Sequence, residues 1–126
     1  MSSTLDIVNH FYDVTLKGSA GIDELSLLFA ENAAFRGPIQ EGNGAAEITD
    51  INAAFFPFVK SYNLLADFKN GNDVSIIHEV RAQLPNGEKI SMTMSEWFQI
   101  KEGLIASHNI YFDPRKFLDI MAAMQE

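Results

Sequence analysis

The chain divides by the period of its apolar positions. From Ser3 to about Lys17, the residues Leu5, Val8, Phe11, Tyr12 and Leu16 return at spacings of three and four, which predicts an amphipathic helix stopped at Gly18. Ile22, Leu25, Leu28 and Phe29 carry the same spacing into a second, short helix, and "AAFRGP" then reads as a short extended piece ended by Gly37-Pro38. A third helix is predicted from about Gly44 to Ser61, with Ile48, Ile51, Phe55, Phe58 and Val59 on one side. Pro57 lies inside that pattern and predicts a kink or an early end. From Tyr62 onward the period becomes two, and the turn signals "KNGND", "LPNGE" and "IKEGL" cut the remainder into four strands. Asp113 and Pro114 then cap and open a closing helix.

Helices first and strands afterwards predict an α+β arrangement with helices on one face of an antiparallel sheet. Strand registers follow from the turns. In "LPNGE" and "IKEGL" a glycine is the third loop residue, as in three-residue hairpin loops, so Leu84 should pair with Glu88 and Ile100 with Leu104. Counting outward puts His78 opposite Met94, Ile76 opposite Glu96, and Glu96 opposite His108. The same registers place Val74, Ile76, His78, Val80, Ala82 and Leu84 on the side of Met92, together with Leu104, Ala106, His108, Ile110 and Phe112. A slip of one residue would scramble that agreement.

One residue breaks the apolar face. In "ISMTMSEWFQI" the side chains of Ile90, Met92, Met94, Phe98 and Ile100 point inward, and Glu96 points inward with them. An ionised carboxylate among methionines is too costly to leave without a partner, and His108 across the strand, with His78 diagonally near, is the candidate partner.

Composition narrows the remaining choices. A chain of 126 residues with 47% hydrophobic residues and ten phenylalanines is expected to form a single domain, 1-126, with its own core. Seventeen acidic against nine basic residues give a net charge of -8, which opposes nucleic acid and anionic membrane surfaces as partners. With no cysteine there is no disulfide, thiol nucleophile or thiolate metal site, and the start "MSSTLDIVNHF" lacks the pattern of a secretory leader. No apolar run approaches the ~20 residues of a membrane helix, so a cytoplasmic protein is expected.

The opening helix "IVNHFYDVTLKG", the stretch "LSLLFAENAAFRGP" with the helix start "EGNGAAEI", the block "LPNGEKISMTMSEWFQIKEGLI" and the closing "FDPRKF" resemble, in this order, the nuclear transport factor 2-like superfamily, in its SnoaL-like and ketosteroid-isomerase-like branch. The resemblance covers nearly the whole chain. It implies a cystatin-like conical barrel, in which a curved antiparallel sheet and three N-terminal helices enclose a pocket. The superfamily includes isomerases, polyketide cyclases, epoxide hydrolases, dehydratases, transport factors and non-catalytic subunits, so the fold alone names no activity. Carried over residue by residue, the isomerases' general base falls at Gly37 and their oxyanion-hole tyrosine near Phe11, with Tyr12 one residue along. Only their inward acid finds a counterpart, at Glu96, which argues against steroid isomerisation by that route. The polyketide cyclases work without cofactor through an inward acid/base, a role that His108 with Glu96 could meet.

Two readings follow for this pair: general acid/base catalysis, since a carboxylate beside an imidazole orients it and raises its basicity, or a buried pair that satisfies itself. His78, Glu96 and His108 also have ligand types suited to zinc or non-haem iron, but the diagonal spacing is long and the resembling superfamily is mostly metal-free, so neither metal nor cofactor is expected. Tyr12, Phe35, Phe55, Phe58, His78, Met92, Met94 and Ile110 are the expected pocket lining for a small apolar organic ligand. The opposite sheet face carries Ile77, Trp97 and Tyr111 among small polar residues, and relatives commonly dimerise there, so a homodimer is expected. The function expected is cofactor-independent proton transfer on a small apolar molecule, as in an isomerase, cyclase or dehydratase. The alternative is a non-catalytic ligand-binding or accessory protein on the same scaffold.

Overall fold

A computed structural model describes residues 3–115, 118, 119 and 122. Helix α1 (Thr4–Thr15) opens on a capping box in which the Ser3 hydroxyl accepts from the Asp6 N–H and the Asp6 carboxylate accepts from the Ser3 N–H. Its buried stripe is Val8, Phe11, Val14 and Thr15. A 3-10 turn, Gly18–Gly21, leads into α2 (Ile22–Ser26). That helix is shorter than the apolar spacing implied: Phe29 begins strand β1 (Phe29–Arg36), which buries Phe29, Ala33 and Phe35. Strand β2 (Glu41–Asn43) has no large apolar side chain to betray it in the sequence. It packs through Gly42, where an added Cβ would stand 2.6 Å from the Ile51 side chain.

Helix α3 (Ala45–Phe55) does end early at Pro57, through a 3-10 turn at Phe56–Phe58. Strands β3 (Val59–Asn70), β4 (Asp73–Gln83), β5 (Lys89–Lys101) and β6 (Leu104–Tyr111) follow. The four strands expected in the second half are present, and β1 and β2 join them, so that among the described residues the sheet has six strands in the order β2-β1-β6-β5-β4-β3, with β1 parallel to β6 and the other pairs antiparallel. Register breaks in the β1–β6, β3–β4 and β5–β6 pairs bend it without closing it. Three helices and a curved, open, six-stranded sheet make a cone-like α+β fold.

The β4–β5 hairpin has the register its turn implies: Leu84 donates to Glu88 at 2.9 Å, Gly87 sits at φ 88°, and His78 and Ile76 face Met94 and Glu96. The β5–β6 hairpin differs. Its loop has two residues, Glu102 and Gly103, both at positive φ (54° and 79°), so Lys101 pairs with Leu104 and Ile100 with Ile105. A bulge between Gln99 and Ile100 then shifts the ladder, so Phe98 faces His108 and Glu96 faces Ile110. Relative to the expected register the displacement is two residues, an even number, which preserves the inward side for His108 and Ile110. At the turn itself the expected inward Leu104 is exposed and Ile105 is fully buried in its place.

Two clusters form the core. Val8, Phe11 and Val14 of α1 pack with Val74, Ile76, Phe98, Ile100 and Ile105 at one end, and Val59, Val80, Ala82, Ile90, Met92 and Met94 pack at the other. Of the expected closing helix, Asp113 caps the N–H of Arg115 at 3.1 Å; the rest lies largely outside the described residues. Among the described residues no helix is long and apolar enough to cross a membrane.

Candidate functional site

Glu96 sits on β5 at the junction of the two clusters, 4% exposed, between His78 on β4 and His108 on β6, which are 2% and 1% exposed. The pleat turns all three side chains to the inner face, and both histidines lie diagonal to Glu96 on the two flanking strands. His108 Nε2 is 2.7 Å from Glu96 Oε1, and His78 Nε2 is hydrogen-bonded to the other oxygen, Oε2. The carboxylate is thus answered on both sides. Burial alone would push its pKa up; the hydrogen bonds from His108 and His78, helped by the charge of either ring when it is protonated, outweigh that and hold it at about 2.

Aromatic rings fix the imidazoles. His78 stacks on Tyr62 with ring centroids 5.1 Å apart, and Tyr12 meets it edge-on at 5.0 Å. His108 stacks on Phe98 at 4.1 Å and takes the edges of Phe11 and Phe35 at 5.3 and 5.4 Å. Because Nε2 of His108 faces a carboxylate it must carry a proton, and Nδ1 is buried with no hydrogen-bond partner. The arrangement is satisfied by the Nε2–H tautomer with a bare lone pair on Nδ1.

Two further hydroxyls stand close. The Thr15 hydroxyl donates to the Tyr12 carbonyl at 2.7 Å, so the 2.8 Å contact between Thr15 Oγ1 and Tyr62 Oη has the tyrosine as donor. Burial, then the nearby Glu96 charge, raises the Tyr12 phenol well above its ordinary pKa. Its oxygen stands close enough to that carboxylate for a hydrogen-bonding pull to add to the effect of the charge, although the buried hydroxyl makes no hydrogen bond of ordinary geometry.

A cavity of about 370 Å³ opens beyond this cluster, between the Gly37–Gln40 loop, α3 and the far ends of β4 to β6. Phe35, Phe55, Phe58, Met94 and Ile110 line it, as do Leu84 and Phe112. The exposed residues Pro38, Gln40 and Ala54 mark its mouth. No titratable side chain lines it; Gln40 and Asn52 carry its only polar side chains among the described residues. Glu96, His108 and Tyr12 line a separate recess of about 30 Å³, which shares Asn52, Phe55, Met94 and Ile110 with the large cavity.

His78 and Met92 are on neither lining: His78 is packed between Tyr12 and Tyr62, and Met92 belongs to the outer core cluster. Ile77, Trp97 and Tyr111 lie on the outer sheet face, where Trp97 Nε1 donates to Asp73 at 3.2 Å and Tyr111 is exposed. Asn52, Thr15 and Tyr62 were not singled out by the sequence reading. Asn52 did leave a signal, an amide on the side of a helix that also carries Ile48, Ile51 and Phe55. Among the described residues no group of three or more His, Cys, Asp or Glu is arranged to hold a metal ion.

Comparison with known proteins accords with this architecture. Solved structures similar in fold include an NTF2-like protein of unknown function from Cytophaga hutchinsonii (24% identity, 94% of this chain and 96% of that one, TM-score 0.75). A candidate SnoaL-like polyketide cyclase from Jannaschia (14%, 95% and 90%, TM-score 0.78) is also similar. So is a protein with a ketosteroid isomerase-like fold from Catenulispora acidiphila, solved with trimethylamine (16%, 88% and 88%, TM-score 0.73). At these identities the likeness shows the fold alone. No curated protein matches the sequence. The SnoaL-like domain pattern matches residues 8–108, most of the chain, and the protein belongs to the SnoaL-like domain family of the nuclear transport factor 2-like superfamily.

Proposed function

We propose that the protein binds a small, largely apolar organic molecule in the 370 Å³ cavity and transfers a proton on it with His108, oriented by Glu96. The observation that carries this reading is the asymmetry of the His108 ring. One nitrogen is committed to a carboxylate and the other is a bare, unpartnered lone pair, the arrangement of an oriented general base. His108 also lies one ring behind the cavity wall, since Phe35 touches both, and Phe55 and Met94 form the partition that a ligand's inner end would displace. Met94 is unbranched and suited to such movement. Glu96, with both oxygens engaged and a lowered pKa, is a poor base itself and serves as the orienting charge.

The test is a turnover screen of small ketones, epoxides and polyketide-like esters on the wild type, Glu96→Gln and His108→Phe. Loss of about 10²–10⁴-fold in both variants with the fold intact is expected. Bound compounds that no form converts would favour the second reading, a non-catalytic binding or accessory protein. That reading draws on the main cavity lining, which among the described residues holds no titratable group. Homodimerisation through the outer face bearing Trp97, Tyr111 and Ile77 is part of the same proposal, supported by the exposure of the two aromatic rings.

A further inference from the structure

Asn52 sits on the buried side of α3 with Ile48 and Thr49, where an asparagine is a poor helix former and an amide needs its hydrogen bonds met. Its Nδ2 donates to the Ile48 carbonyl at 2.8 Å. An acceptor at that position fixes which end of the amide is nitrogen, so Oδ1 is the end that points elsewhere. No donor among the described residues reaches Oδ1. Unlike the Tyr12 hydroxyl and His108 Nδ1, it is not among the polar atoms sealed inside the protein. Asn52 lines both the large cavity and the recess that holds Glu96 and His108.

We propose that Asn52 selects the ligand: its Oδ1 accepts a hydrogen bond from a hydroxyl on a neutral molecule whose body is apolar and ring-shaped. This rests on the cavity-binding reading above and names the ligand class for it. Among the described residues the lining carries no charge that could pair an anion or a cation, and a buried unpaired charge is too costly to tolerate. A carboxylate or phosphate is further opposed by the net charge of -8. Phe35, Phe55, Phe58 and Phe112 offer faces and edges to a ring system, and the partnerless oxygen asks for a donor. A hydroxyl seated there stands at the partition in front of Glu96 and His108, which makes Asn52 a positioning residue for any proton transfer.

Calorimetric titration of the wild type with 1-naphthol, its methyl ether and 1-naphthoate tests this. Naphthol should bind about 3–10-fold more tightly than the ether, the contribution of one hydrogen bond, and naphthoate should not bind. In Asn52→Leu the naphthol preference should fall below about twofold while the ether binds as well as before. If that variant does not fold, Asn52→Ala is read in the same way, and Gln40→Leu, which should keep the naphthol preference, serves as the control. Equal binding of naphthol and ether to the wild type, tight naphthoate binding, or a preference that survives in Asn52→Leu would overturn the selector while leaving the cavity as a binding site. Binding of none of the three would overturn the cavity reading and this inference with it.

Discussion

The inner face of one sheet behaves differently at its two ends. At the α1 end Phe98, Ile100 and Ile105 are sealed by Val8, Phe11 and Val14, and Phe98 meets Phe11 edge-on at 5.4 Å. At the far end Met94, Phe55, Phe58 and Ile110 face a cavity. The strands are the same; the cover is not. Helix α1 is capped, twelve residues long and presents a continuous apolar stripe, whereas α3 is stopped by Pro57, leaving a 3-10 turn and the Gly37–Gln40 loop to roof the other end. Glu96 lies at the seam, where the surroundings are buried enough to give its charge consequence and close enough to the cavity to matter to a ligand.

The comparison is broken most severely by truncating each end in turn. Phe98→Ala should cost about 3–5 kcal/mol in urea unfolding because α1 cannot follow the missing ring, while Phe58→Ala, beside space already empty, should cost less than about 2 kcal/mol. Equal costs would mean that the far end is as tightly filled as the near one. At the seam, the lowered pKa of Glu96 has a definite sign. The stabilisation it contributes is fully present above the ordinary value of 4.5 and is lost as pH falls from there through about 2. Unfolding free energy measured from pH 6 to 3 should decline on acidification, and Glu96→Gln should remove part of that slope.

Glu96→Gln itself should cost about 1–3 kcal/mol, because an amide offers only one oxygen to two imidazoles. One of the two rings must then turn its other tautomer to the new NH₂ group. His108 cannot do so cheaply, as its Nδ1 would become a buried N–H without an acceptor, so nitrogen NMR should show the change at His78. On the outer face, Trp97→Ala should leave stability within about 0.5 kcal/mol apart from its bond to Asp73, yet lower the apparent mass in sedimentation; a wild type that is monomeric at micromolar concentration would end the dimer proposal. The smallest effect is expected at the β5–β6 turn. Glu102 holds φ 54°, unfavourable for glutamate, and Glu102→Asn should stabilise by roughly 0.5 kcal/mol, read as a shift in melting temperature.

Periodicity determined a good deal by itself. The three helices, the early end at Pro57, the β4–β5 register and the inward side of Glu96, His78 and His108 all follow from short-range pattern and turn chemistry, which the chain carries locally. The resemblance to the SnoaL-like family was legible too, although it named no chemistry. Strand β2 is hidden because three residues with a buried glycine have no period, and the start of β1 reads as helix because Leu28 and Phe29 fit both spacings. The β5–β6 register depended on a bulge, an extra residue whose position is decided by what packs on the sheet and not by the turn. That Glu96 holds two histidines instead of one, and that Asn52 has an oxygen to spare beside a cavity, only the tertiary structure decided. Both depend on side chains from separate strands and helices converging in space, and hydrogen-bond satisfaction is a property of that convergence, which no single segment contains.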